Sequence, residues 1–254
     1  MEFIFGVFAA AIGLVIGSFL NCLVWRLYKE DTILGRSYCP SCSQTIAWYD
    51  NIPLLSFLRL RGRCRHCHLK ISWQYPLVEF FTSLLFVLTF LHAADSANFS
   101  LLLARDWFLI SSLMIIFIYD FRWQMVPMMV VWPTIALVAI LNLFLGFSVF
   151  ALLISALVGG GFFWAQYILT KKRGIGEGDI WLGLLLGITF PVLGHLGLSL
   201  ISAYFIGSII SIILLVSKNK GWKSKIALGP FLVIGAIITL IYGQGIINWY
   251  LGLF

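Results

Sequence analysis

The chain has 254 residues, of which 61% are apolar and 11% are charged, and its formal net charge is +7. An apolar fraction this high excludes an ordinary soluble protein and predicts a polytopic membrane protein. In such a protein a positive charge reflects the enrichment of Lys and Arg in cytosolic loops, so we expect no nucleic-acid partner.

The first apolar segment covers residues 3–25. It begins without the basic residues of a cleaved signal peptide and is long enough to cross a bilayer, so we expect a retained first helix. Arg26 and Lys29 follow this span. Because basic residues remain on the cytosolic side, the N-terminus is predicted to face outward.

Residues 26–76 form a polar insert with two Cys-x-x-Cys pairs, CPSC at 39–42 and CRHC at 64–67. Two such pairs can close one tetrahedral thiolate site, and the predicted cytosolic location disfavours the alternatives, two disulfides or a redox dithiol. We therefore expect a structural zinc ion that supplies much of the folding free energy of this small insert. We interpret His66 and His68 as surface residues. The predicted ligands are Cys39, Cys42, Cys64 and Cys67.

Seven further apolar segments follow the insert and bring the total to eight. This total counts two membrane crossings in each of the ranges 126–170 and 180–217. With that count, sixteen of the seventeen Lys and Arg residues lie on the cytosolic side, and Arg105 is the exception. Both termini are then outward. Asp106 lies near an outer helix start, where a carboxylate suits the helix dipole. The segments are 77–93, 101–119, 126–147, 148–170, 180–195, 197–217 and 228–250.

These patterns predict an all-α polytopic membrane protein with about eight transmembrane helices and a small zinc-binding cytosolic insert. The expected domains are a first transmembrane helix at 1–25, the cytosolic four-cysteine zinc insert at 26–76, and a seven-helix membrane domain at 77–254.

Two aspartates lie at the predicted cytosolic ends of membrane helices. Asp179 precedes an apolar run, where an aspartate often caps a helix. Asp120 ends the third span, where a negative charge opposes the helix dipole, unless Arg122 pairs with it. Taken together, two carboxylates at similar depth predict a coupled pair that can activate water and protonate a peptide carbonyl, as aspartic proteases do.

The sequence around Asp179 is GIGEGD at 174–179. Its three glycines allow a close backbone approach and leave room for an extended peptide. Glu177 is expected to face water. The same segment, preceded far upstream by Tyr119-Asp120, resembles the GxGD intramembrane aspartic proteases.

Within that group the chain resembles the type IV prepilin peptidases over nearly its whole length. The resemblance is carried by an ordered set of motifs: GSFLNCLVWRL at 17–27, NIPLLSFLRLRGRCRHC at 51–67, ISWQYPLVE at 71–79, and the two aspartate motifs.

The resemblance implies a bifunctional enzyme of the bacterial inner membrane. Asp120 and Asp179 map onto the catalytic aspartates, which would cleave the leader of a prepilin or pseudopilin at the cytoplasmic membrane face. The new N-terminus would then be methylated with S-adenosylmethionine. The four cysteines map onto the metal ligands. Methylation is implied by the resemblance alone, because the sequence has no glycine fingerprint for the methyl donor.

The chain departs from the family pattern at three positions. Met128 replaces the aspartate of a Pro-Asp pair, Trp181 replaces a lysine two residues after the second aspartate, and Gln74 replaces the arginine of ISxRYP. Glu79 agrees with the pattern, and could position the insert, bind a cationic amine or simply suit a helix start. Two other hypotheses stay open: a non-catalytic zinc-containing membrane scaffold, and a peptidase without methyltransferase activity.

Overall fold

The computed structural model describes residues 2–32, 34–94, 96–172, 174–217 and 227–253. These residues form nine α-helices and one short 3-10 helix at Trp48–Asp50. The α-helices are α1 (Glu2–Lys29), α2 (Leu55–Arg59), α3 (Gln74–Ala93), α4 (Phe99–Trp123), α5 (Met128–Phe144), α6 (Val149–Leu169), α7 (Glu177–Thr189), α8 (Leu193–Val216) and α9 (Gly229–Leu251).

The predicted all-α class is confirmed. Within the described residues the only β-type pairings are two isolated bridges, and six helices are long and apolar enough to cross a membrane. The chain is therefore a multi-pass membrane protein. The six are α1, α3, α4, α6, α8 and α9.

Two of the eight predicted membrane helices are shorter than a full crossing. Helix α5 has 17 residues and α7 has 13. At about 1.5 Å per residue, α7 extends roughly 20 Å, well short of the ~30 Å hydrocarbon core. The segment predicted at 180–195 is divided, because α7 ends at Thr189, before Pro191, and α8 begins at Leu193. A proline cannot continue the backbone hydrogen bonding of a helix.

Part of the charge argument for topology lies outside the described residues. The segment 218–226, with four lysines, and Arg173 belong to this part of the chain. The assignment of helix ends to the two sides of the membrane stays a prediction.

The chain forms two compact units, Met1–Phe99 and Ser100–Phe254. In the first unit, α1 packs closely on α3 through two glycines. A Cβ on Gly17 would lie 2.8 Å from the Cα of Glu79, and a Cβ on Gly13 would meet Ser83. Small residues let membrane helices approach at backbone distance, which dispersion forces then stabilise.

In the second unit, α6 and α7 also pack closely at glycines. Gly159 and Gly183 lie against each other's backbone, and Gly187 lies against the backbone of Ser155. The short helix α7 thereby becomes one of the most buried elements of this unit. Five further residues beyond its first turn are buried: Leu182, Leu185, Leu186, Ile188 and Thr189. The predicted domain boundaries at residues 25 and 76 separate membrane segments from the cytosolic insert. This division stays a prediction.

Candidate active site and metal site

Asp120 lies in the last turn of α4 and is only 5% exposed. Its carboxylate accepts a hydrogen bond from the backbone N–H of Gly229, the first residue of α9. A Cβ at residue 229 would collide with the Asp120 carboxylate. The N-terminus of α9 therefore lies against Asp120, and only glycine leaves room for this approach.

This contact explains how Asp120 is accommodated at the C-terminal end of α4. The opposing dipole of α4 is offset by the positive N-terminal end of α9. Arg122 does not supply the partner: its side chain is exposed and lies over the Trp123 ring, 5.6 Å from the ring centroid. Sequence reasoning missed Gly229, whose only signal is the glycine-proline pair that opens the last apolar run.

Asp179 is the third residue of α7 and is 9% exposed. Its Oδ2 accepts a hydrogen bond of 3.0 Å from the backbone N–H of Gly176, the residue that precedes the helix. Asp179 thus stabilises the helix start as a first-turn acid. The N-cap position expected for Asp179 belongs to Gly176 instead.

The two carboxylates are close enough for the charge of Asp179 to act on Asp120. Each is buried, and each is held by the backbone N–H of a glycine at a helix start. The structure thus brings together the two aspartates that the sequence placed 59 positions apart.

The first turn of α7 packs on the connection between α4 and α5. A Cβ on Gly178 would lie 2.6 Å from Val126, so this position has no space for a side chain. Glu177 is exposed, as predicted, and is not part of the buried pair. Gly174 and Gly176 are also exposed, which leaves their backbone accessible from outside.

A hydrogen bond between α8 and α6 was missed by sequence reasoning. The hydroxyl of Tyr204 on α8 donates to Oε1 of Gln166 on α6 at 3.0 Å. No local pattern distinguishes this tyrosine from the other aromatic residues of the apolar segments.

Two of the departures from the family pattern have structural partners in this region. The ring of Trp181 packs on the ring of Trp132, with 4.3 Å between centroids, and so links α7 to α5. Met128 is the first residue of α5, and its methyl group is 3.7 Å from the position of a Cβ on Gly178. Trp181 therefore makes an aromatic contact at the position where the family pattern has a lysine.

A buried ionic network lies at the opposite end of α7. Arg105 donates to Oδ1 of Asp106 at 2.7 Å and to Oδ1 of Asn142 at 3.1 Å, and Asn142 donates to the carbonyl oxygen of Ile188 at 2.7 Å. The network joins α4, α5 and α7. Since the aspartates join the other ends of α4 and α7, these two helices run antiparallel.

The expectation that Asp106 acts at a helix start is wrong. Helix α4 begins at Phe99, two turns earlier, and Asp106 is 2% exposed and paired with Arg105. In the predicted topology Arg105 is the one basic residue on the outer side. This exception to the positive-inside rule was the feature of the sequence that could have indicated a buried ion pair.

The four predicted metal ligands converge in the first unit. The sulfur atoms of the two cysteine pairs all lie within 4.8 Å of one another, and the Sγ atoms of Cys39 and Cys67 are 3.9 Å apart. A tetrahedral zinc ion with Zn–S bonds of about 2.3 Å needs sulfur–sulfur distances near 3.8 Å. The donor set and its spacing therefore fit zinc.

The two knuckles, residues 38–45 and 63–70, have the same backbone design. Each is closed by an antiparallel bridge, Tyr38 with Thr45 and Arg63 with Lys70. In each, the fourth residue after the first cysteine, Ser43 or His68, has a left-handed φ of 56°. His66 and His68 are exposed, as predicted. The second knuckle is a structural copy of the first, 25 residues later.

Further contacts attach the insert to the helices of its unit. Arg26, near the end of α1, is buried and donates to the carbonyl oxygens of Gly35 and Arg36. Asp50 accepts two hydrogen bonds from Arg65, which hold the pKa of Asp50 below its usual value. This ion pair links the 3-10 helix to the second knuckle.

Glu79 and Gln74 belong to a polar cluster where α1 meets α3. The Oε2 atom of buried Glu79 accepts from the backbone N–H of Leu54 at 2.8 Å, so Glu79 positions the segment that leads into α2. Gln74 donates to Oδ1 of Asn21 at 3.2 Å. The residue at the arginine position of the family pattern therefore serves as a link between α1 and α3.

Two family models match the chain. Residues 11–93 match the bacterial peptidase A24 N-terminal domain, and residues 107–243 match the type IV leader peptidase family. No solved structure matches.

Curated proteins similar to this chain cover almost its full length. The prepilin leader peptidase/N-methyltransferase of Aeromonas salmonicida is 32% identical, over 94% of this chain and 91% of its own length. The same values hold for the protein of that name in Pseudomonas aeruginosa. A type 4 prepilin-like proteins leader peptide-processing enzyme of Escherichia coli is 33% identical, over 92% of this chain and 93% of its own length. The chain belongs to the type IV leader peptidase family.

Proposed function

We propose that this protein is an aspartic endopeptidase that cleaves the leader of type IV prepilins or pseudopilins. The observation that carries the proposal is the buried pair of Asp120 and Asp179, each held by a glycine N–H at a helix start. The names of the similar proteins supply the substrate class. The zinc insert contributes structure and not chemistry, because four thiolates leave no coordination position for a substrate.

Peptide hydrolysis by this pair needs one ionised and one protonated carboxyl group. The carboxylate takes a proton from a water molecule, and the water oxygen attacks the carbonyl carbon of the scissile bond. The protonated carboxyl group donates its proton to the carbonyl oxygen. When the tetrahedral intermediate collapses, the C–N bond breaks and the leaving amine takes a proton from the first carboxyl group. The hydroxyl formed from the carbonyl oxygen returns its proton to the second carboxyl group, so the pair again has one ionised and one protonated member.

The proposed location is the cytoplasmic face of the bacterial inner membrane, with both termini outward. Two features support this side: the basic residues of 26–76, and the basic cluster just before the glycine-rich loop. The exposed glycines of that loop offer backbone groups to an extended peptide, while the substrate's apolar helix remains in the bilayer.

We also propose that the enzyme methylates the new N-terminus with S-adenosylmethionine as methyl donor. This part rests on the names of the similar proteins alone. We assign no residue of this chain to methyl transfer.

Asparagine substitutions test the peptidase. Asp120→Asn and Asp179→Asn keep side-chain size but remove the ionisable group, and each is expected to reduce prepilin cleavage in detergent by at least about 10³-fold, as loss of a member of a catalytic unit does. Glu177→Gln is the matched control, because Glu177 is exposed two residues from Asp179. It should cleave like the wild type.

The outcome is read by mass spectrometry of the mature pilin, with thermal unfolding as the check on folding. Folded asparagine variants that still cleave would return both aspartates to structural roles and favour the scaffold hypothesis. Methylation is scored separately as a 14 Da gain on the new N-terminus, the mass of one added CH₂. Wild-type cleavage without this gain would identify a peptidase that lacks the second activity.

A further inference from the structure

We propose that α2 and the arginines that follow it form a membrane-docking surface that binds anionic phospholipid headgroups. The surface consists of Leu55, Leu58, Arg59, Arg61 and Arg63, all of them exposed. It goes beyond the proposed reaction, because it gives the zinc insert a lipid partner.

The face of α2 directed outward is apolar and basic. Leu55 is 64% exposed and Leu58 is 70% exposed, whereas Ser56 between them is buried. Residues at i, i+3 and i+4 share one side of a helix, so Leu55, Leu58 and Arg59 form a common face. Such leucines are costly in water and are stabilised at the boundary of headgroups and acyl chains.

The proposed level of this face is the membrane surface, because α2 lies beside the start of α3, a helix long and apolar enough to cross a membrane. Four exposed apolar residues form a continuous stripe on α3 that suits contact with lipid: Leu77, Phe80, Phe81 and Leu84. Trp73 lies one turn before that stripe and is 70% exposed. Tryptophan at the end of a membrane helix marks the interface between water and hydrocarbon.

Phe57 connects α2 to that tryptophan. The ring centroids of Phe57 and Trp73 are 5.0 Å apart. On the other side, the N–H of Leu54 binds Glu79 on the second turn of α3. Helix α2 is therefore held at both of its flanks beside the N-terminal end of α3, and the end of a membrane helix is where headgroups are expected.

The charge around α2 identifies the lipid. Arg59, Arg61 and Arg63 are exposed, and among the ion pairs of the described residues none involves them. Arginine binds phosphate well, and basic residues near an anionic leaflet each strengthen association about fivefold. Exposed leucines beside these arginines fit an anionic phospholipid surface better than the basic leader of a prepilin, whose charge has the same sign.

Hydrogen exchange of the zinc-loaded full chain tests lipid binding without any peptidase assay. A negative result would therefore count against the lipid-binding surface and not against the proposed peptidase reaction. The chain is placed in nanodiscs of phosphatidylcholine and in nanodiscs with added phosphatidylglycerol. The amides of residues 54–61 are expected to exchange at least about fivefold more slowly in the anionic discs. Equal exchange in the two lipids would overturn the proposal.

Charge substitutions on the surface provide the second arm. The double variant Leu55→Glu and Leu58→Glu is expected to lose the slowing by phosphatidylglycerol. Leu34→Glu is the matched control, because Leu34 is an 88% exposed leucine of the same insert outside the proposed surface. If the folded double variant retained the slowing, or if only a prepilin peptide slowed exchange, the lipid assignment would be wrong.

Discussion

Gly178 lies against Val126 so closely that a Cβ at residue 178 would be 2.6 Å from the valine side chain. Val126 belongs to the connection that follows Asp120, and Gly178 immediately precedes Asp179. The contact therefore sets the distance between the segments that carry the two aspartates. A glycine of the GxGD motif thus has a packing role in addition to any freedom it gives the backbone.

Gly178→Ala should impair cleavage more strongly than it impairs folding. The added methyl group must displace Val126 or the start of α7, at a cost of about 1–3 kcal/mol, and a shift of 1 Å in a catalytic group reduces rates about 10²-fold. The measurement compares kcat for a prepilin with the unfolding temperature. Gly161→Ala is the control, since no atom lies within 4 Å of its added Cβ. Wild-type kcat in Gly178→Ala would contradict the proposed spacing role.

Gly229→Ala tests the contact between α9 and Asp120. The new Cβ would occupy the place of the Asp120 carboxylate, so the carboxylate must move and lose its backbone donor. Loss of a hydrogen bond to a charged group costs about 1.5–3 kcal/mol, and we expect cleavage to fall by at least about tenfold. Gly245→Ala on the same helix has open space around its Cβ and should remain active. Equal activity of the two variants would exclude a role for the Gly229 contact.

The Arg105 network predicts an unusual order of stabilities. Asp106→Asn leaves the Arg105 guanidinium buried without its counter-charge and should destabilise the second unit by about 3–5 kcal/mol. Replacing both partners with apolar residues, Arg105→Met and Asp106→Leu, should cost less than the single change, because no unpaired charge remains. Thermal unfolding in detergent checks this order. A double variant less stable than the single one would show that the ion pair itself stabilises the fold.

The cysteine cluster predicts a sharp difference between two chemically identical substitutions. Cys64→Ser removes a thiolate ligand and should reduce the bound zinc and unfold the insert, because metal binding supplies folding free energy in such small sites. Cys22→Ser, outside the cluster, should retain zinc and stability. Zinc content by atomic absorption and proteolysis of the insert measure both effects.

The same assay tests the histidine next to the cluster. His68→Gly places the residue best suited to a left-handed φ at this position and should keep the full zinc content. Loss of zinc in His68→Gly would make the histidine a ligand and contradict the four-thiolate site.

Local sequence patterns by themselves determined much of this molecule. Apolar length predicted the membrane helices, and the spacing of the cysteine pairs predicted one site, because both depend on residues that are near in sequence or of one chemical type. The positive-inside rule even isolated Arg105 as an anomaly. The resemblance to prepilin peptidases agrees with the family that the comparisons show.

Tertiary structure decided what each polar group touches. The donor to Asp120 comes from Gly229, more than a hundred positions away, and Arg105 meets Asn142 and, through it, Ile188. No periodicity encodes such contacts, because they depend on which helices pack together and at what register. The length of α7 was likewise decided by packing and by Pro191. Apolar composition determines that these segments enter the membrane. The close packing of helices at glycines determines which of their few charged residues come into contact.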